Sequence, residues 1–140
     1  MPQNPPPGFT SEPQPAPAPM LESEARDVSM WLHYGAAIAA IVSGGVLGFL
    51  VPLVMWLIYR DRSALVDWHG KQNLNLQLTA IVVGVGAVVL GFITLGIGFF
   101  LTLPLWGAYW IYLLVISFIA GTAAQRGEYY SIKLTIPFVR

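Results

Sequence analysis

The side chains able to do chemistry gather in one stretch, 60–77, where Asp67, His69, Lys71, Asn73, Asn75 and Gln77 occupy every second position. With Asp67 capping a helix that begins near Trp68, the spacing of four puts His69, Asn73 and Gln77 on one helical face. Lys71, Asn75 and Thr79 form a second polar row beside it. A histidine next to an acid suggests a general base or a metal ligand, yet Asp67 and His69 are two residues apart and point to different faces of a helix. No other histidine or acid stands at ligand spacing on the same element. A nucleophile elbow, a phosphate-binding loop and a zinc helix motif are missing, and there is no cysteine. The expectation is therefore a non-enzymatic chain with no catalytic residue, no cofactor and no metal. Its six alternating polar residues would form a contact site. His33 stands apart as an interfacial hydrogen-bonding anchor or a proton relay, with no carboxylate near it in sequence.

The surroundings of this stretch set its medium. No Asp, Glu, Lys or Arg occurs in 28–59 or in 72–125, so two long uncharged blocks flank the only strongly polar segment between them. With 56% apolar and 10% charged residues and a mean hydropathy of +0.65, the chain reads as an integral membrane protein whose first partner is the lipid bilayer. A net charge of zero and seven Lys and Arg in all exclude a nucleic-acid partner, which needs a basic face to neutralise phosphates.

Residues 1–29 hold eight of the eleven prolines, with four acids against Arg26. This predicts a disordered proline-rich tail, an extended spacer or a ligand for a proline-recognising partner. The membrane domain then covers 30–140 as an all-α bundle of three transmembrane helices, about 30–59, 74–98 and 104–124, with a polar turn at 60–73. The first is too long for one straight crossing and must tilt, kink or break, at Ser43-Gly44-Gly45 or Pro52. Along it Ala36, Ala40, Gly44 and Gly48 make a small-residue seam suited to close helix packing, or to a substrate path. Trp31 and Tyr34, with Trp56 and Tyr59, suit the two interfacial aromatic belts. In the second block Thr102 and Pro104 suit the start of the third helix. The tail 125–140 alternates Ile132, Leu134 and Ile136 with polar residues, predicting a short extended segment with one apolar face.

Three crossings put the turn (Arg60, Arg62, Lys71) and the tail (Arg126, Lys133, Arg140) on one side against Arg26 alone, which by the positive-inside bias places them in the cytoplasm of a multi-pass plasma-membrane protein, N-terminus outside. The alternative breaks the first block into a hairpin that returns to its starting side. The polar rows admit two roles. In one, the amides bond neighbouring helices in a structural or assembly subunit that associates with itself or with another membrane protein. In the other, Asn75 and Gln77 form the constriction of a transport or protein-translocation component.

His33, Pro52-Leu53, Trp56-Leu57, Asp67-x-His69-Gly70-Lys71, Asn75-x-Gln77 and the closing Gly127-Glu128-Tyr129-Tyr130 together carry a resemblance. Over 30–140 the chain is similar to small bacterial membrane proteins likened to the twenty-kilodalton Tic component of the chloroplast inner envelope. It departs from that pattern at Gln72, Asn73, Leu76 and Ile132-Lys133. The resemblance implies a helical bundle in the plasma membrane, with a relative that contributes to a protein-import channel.

Overall fold

Residues 15–140 are described by the computed structural model; within them lie four helices and no strand. They are α1 (Glu22–Ser43), α2 (Leu50–Tyr59), α3 (Ala64–Ile93) and α4 (Phe99–Gln125). Only α3 and α4 are long and apolar enough to cross a membrane. The regular structure of the described residues is all helical, and two of these helices, against the three expected, have the length and apolarity of a crossing. The greater part of the proline-rich tail, 1–14, lies outside the described residues. Helix begins at Glu22, well before position 30, because Glu22 and Glu24 oppose the positive end of the helix dipole. Ala25 and Ser29 are already buried.

The block expected as one helix over 30–59 is a hairpin. Gly44 ends α1 in the left-handed region (φ 65°), and its successor Gly45 (φ 96°) continues the reversal, a backbone path that side-chain-bearing residues resist. The chain then returns as α2, whose ten residues span only about 15 Å. Its far end meets the start of α1: the Met20 N–H donates to the Arg62 carbonyl at 3.1 Å, and the Arg62 Nε donates to Ala18. The beginning of α1, the turn at 60–63 and the end of α4 thus lie together, the last joined to α1 by a 3.0 Å bond from Gln125 Nε2 to Asp27. This replaces the topology that put the start of the first helix opposite the polar turn, and it brings both aromatic pairs of the first block to one end. It is the hairpin alternative.

The polar turn is also shorter than expected. Ser63, in extended conformation, caps α3 by accepting from the Val66 N–H, so most of 60–73 is helical and Asp67 sits inside the first turn rather than at the cap. At the other end α3 stops at Ile93 and α4 starts at Phe99, carrying Pro104 within its length. Thr102 does not cap it. Its hydroxyl reaches across to the Ala87 carbonyl at 3.2 Å, while Thr94 accepts from the Gly98 N–H and shapes the turn.

Candidate functional site

The first polar row of α3 faces α1. His33 and His69 are both buried, and His33 Nε2 lies 2.9 Å from His69 Nδ1. The other nitrogen of His69, Nε2, is 2.8 Å from the Glu128 carbonyl, which can only accept, so that nitrogen carries the proton and Nδ1 is the acceptor. His33 Nε2 must then donate, leaving its Nδ1 bare to accept the 2.8 Å bond from Asn73 Nδ2. The second hydrogen of that amide goes to the Leu32 carbonyl at 3.2 Å. The result is a one-directional chain from Asn73 through His33 and His69 to Glu128, tying α3, α1 and the segment after α4. Each ring donates once and accepts once, so neither has a lone pair to spare for a ligand. Sequence spacing separated these residues: His33 and His69 are 36 positions apart, and only the return of the α1–α2 hairpin aligns them.

Asp67 and Lys71 work at the rim of this cluster. The Asp67 carboxylate accepts from Trp56 Nε1 at 2.8 Å and from Lys71 Nζ at 2.7 Å, which fastens α2 to the first turn of α3. Beside them Gly70 allows the Trp56 ring to lie on α3, since a Cβ there would come within 2.4 Å of it.

The second row holds the C-terminal tail. Asn75 makes a two-way bond with Val139, donating to its carbonyl at 3.0 Å and accepting its N–H at 2.8 Å. Thr79 accepts the Ile136 N–H, Gln72 accepts that of Ile132, and Trp68 donates to the Tyr130 carbonyl, each at 2.9 Å. Tyr109 and Tyr112 of α4 donate to the carbonyls of Leu134 and Lys133. Side chains of α3 and α4 thus take up backbone groups of Tyr130, Ile132, Lys133, Leu134, Ile136 and Val139 that have no strand partner. The alternation seen in sequence does not give one buried face. Ile132 enters the core with Leu76, Ala80, Leu113, Ile116 and Ala120, whereas Leu134, at positive φ, and Ile136 face outward.

Gln77 behaves differently from its row-mates. It is buried, yet neither polar atom of its side chain has a partner among the described residues, and its Oε1 abuts Gly48. The seam Ala36, Ala40, Gly44 and Gly48 is divided too. Ala36, Ala40 and Gly48 are buried inside the bundle and only Gly44 is exposed, so internal packing consumes most of the surface expected to receive another helix. Trp68, Gln72, Tyr109 and Tyr112 were not singled out in the sequence as a binding set. The tyrosines' three-residue spacing on α4 was the one available signal.

Just outside the helices, Arg126 donates to Glu128 through Nε at 2.7 Å and Nη2 at 2.9 Å. That bond holds the Glu128 carboxyl below its ordinary value and raises the guanidinium. Among the described residues no three His, Cys, Asp or Glu side chains are placed to share a metal ion.

The sequence profile of the magnetosome magnetite crystal formation protein family, MamF/MmsF, matches residues 24–139, from the first turns of α1 to the penultimate residue of the tail. The chain belongs to the MamF/MmsF family. No curated protein and no solved structure is detectably similar to it. The matched span includes every element of the polar clusters. The likeness to the chloroplast import component finds no support in these matches.

Proposed function

We propose that this MamF/MmsF member is a non-catalytic structural or assembly protein of the magnetosome membrane that takes part in magnetite crystal formation. The family match supports the setting. The observation that carries the structural role is the use of the polar side chains. Asn73, His33 and His69 join α1 to α3, Asp67 joins α3 to α2, and Gln72, Asn75 and Thr79 secure the tail. These groups are committed to holding elements together. Charged groups of α1, the 60–63 turn and the 126–128 segment share one end of the molecule, which offers a common polar face for contact at the membrane surface.

The transport alternative draws no support from the same level of the structure. Asn75 is covered by the tail and Gln77 is buried against Gly48, so neither amide lines an open space.

Deleting the gene in its host bacterium and restoring it with either the wild type or Asn75→Leu/Thr79→Val tests the role. Electron microscopy of the deletion strain should show crystals altered in size or number, with full rescue by the wild type and incomplete rescue by the variant. Unchanged crystals in the deletion strain would reject the proposal.

A further inference from the structure

The two hairpins share the charged end of the molecule but do not reach the same depth. The tip of the first, 44–49, stops beside Gln77 of α3 and Trp110 of α4, roughly 20 Å along an α3 that runs for about 45 Å. Beyond that level only α3 and α4 continue. Under the tip lies an open groove of about 630 Å³, walled by Val46 and Phe49 of the tip, Val85 and Val88 of α3, and Trp106 and Trp110 of α4. No charged side chain lines it. Both indoles are seated against glycines of the groove wall: a Cβ at Gly84 would meet Trp106 at 2.8 Å, and one at Gly45 would meet Trp110 at 2.9 Å.

Polarity and length select the occupant. Ordered water needs two to four polar partners, which an apolar lining does not supply. Along α3 the lining runs from Ala80 to Val89, roughly 14 Å at helical rise, close to half of a hydrocarbon core about 30 Å thick. We infer that this groove binds one acyl chain of a membrane lipid, its headgroup lying at the end of the molecule that carries the 94–98 turn. This rests on α3 and α4 crossing the bilayer. The chain fills the space in the far leaflet that the half-depth hairpin leaves uncovered.

The test uses the full chain. Carbonate extraction of native membranes first establishes insertion; release into the wash would remove the membrane reading itself, and the inference with it. From inserted protein, native mass spectrometry in mild detergent should find one retained lipid per chain. Val88→Trp, which fills the groove from a partly exposed position, should reduce that retention at least fivefold, while Phe100→Trp on the open face of α4 should leave it unchanged. Should Val88→Trp lose helicity by circular dichroism, Val85→Trp takes its place. In vesicles of phosphatidylcholine bearing a photoreactive acyl chain, adducts should concentrate on Val85, Val88, Trp106 and Trp110. Equal retention by wild type and groove-filling variant, adducts spread evenly around α3 and α4, or chain-to-chain crosslinks at these four residues would each overturn the inference.

Discussion

His33 Nε2 donates to His69 Nδ1 at 2.9 Å, and that single contact joins the only two histidines of the chain across helices whose sequence positions differ by 36. Replacing one ring with Phe leaves the other with a buried polar atom unpaired, which costs about 1–3 kcal/mol. Replacing both removes the pair together, although Asn73 and Glu128 then lose partners at the two ends. His33→Phe, His69→Phe and the double variant, compared by thermal unfolding in detergent, should therefore be non-additive by more than about 0.5 kcal/mol. Strict additivity would mean that the two rings are not coupled.

Asn75 and Gln77 are neighbours on α3 with opposite prospects. Asn75→Leu severs both bonds to Val139 and leaves that residue's N–H and C=O unpaired, so it should destabilise by about 1–3 kcal/mol and make the last residues of the tail more susceptible to carboxypeptidase. Among the described residues Gln77 has no side-chain partner to lose, so Gln77→Leu should cost under about 1 kcal/mol or stabilise. Equal destabilisation by the two substitutions would contradict this division of the polar rows.

The same two residues show what the sequence could and could not say. Period and charge were enough to mark α3 and α4 as long apolar helices, and the amide spacing anticipated the burial of Asn75 and Gln77. Their different partners depended on the path of the tail. An alternating pattern suggested an extended face there, but Leu134 takes a positive φ that breaks the two-residue period. The depth of the first block was equally hidden. Gly44 and Gly45 were recognisable as a weak point, yet whether the chain kinks or reverses at them was decided by contacts at the other end, Met20 with Arg62 and His33 with His69. Long-range pairings of this kind leave no local periodicity to read.

Gly48 is required by its neighbours. A Cβ at that position would come within 2.4 Å of Gln77 Oε1 and 2.9 Å of the Ala40 Cβ. Gly48→Ala should lower stability by about 1–3 kcal/mol through overpacking, whereas Gly107→Ala, which meets nothing within 4 Å on an otherwise regular helix, should be neutral or slightly stabilising. Thermal unfolding of the two variants checks the contrast; a harmless Gly48→Ala would mean that the hairpin tip does not press on α3.

The Arg126–Glu128 bond contributes in a definite pH window. Because the folded state holds the Glu128 carboxyl below its ordinary value, the contribution is fully present above the ordinary carboxylate pKa and disappears as pH falls through the lowered one. The pair is exposed, so the effect is small. Glu128→Gln should show a slightly smaller loss of melting temperature between pH 7 and pH 3 than the wild type, and an identical loss would show that the bond does not persist in solution.

Sidedness separates the hairpin from a third crossing more directly than any stability measurement. The chain has no cysteine, so single cysteines report without background. Glu24 near the start of α1, Ser63 before α3 and Arg126 after α4 all lie at one end, and Leu95 in the turn between α3 and α4 lies at the other. Replaced one at a time by cysteine and challenged with a membrane-impermeant maleimide on sealed vesicles of known orientation, the first three should label alike and the fourth oppositely. A crossing by the first block would instead put Glu24 with Leu95. It would also pull His33 to the far side of the bilayer from the first turns of α3, where the bond to His69 could not form. Opposite labelling at Glu24 and Ser63 would thus remove the histidine chain along with the hairpin.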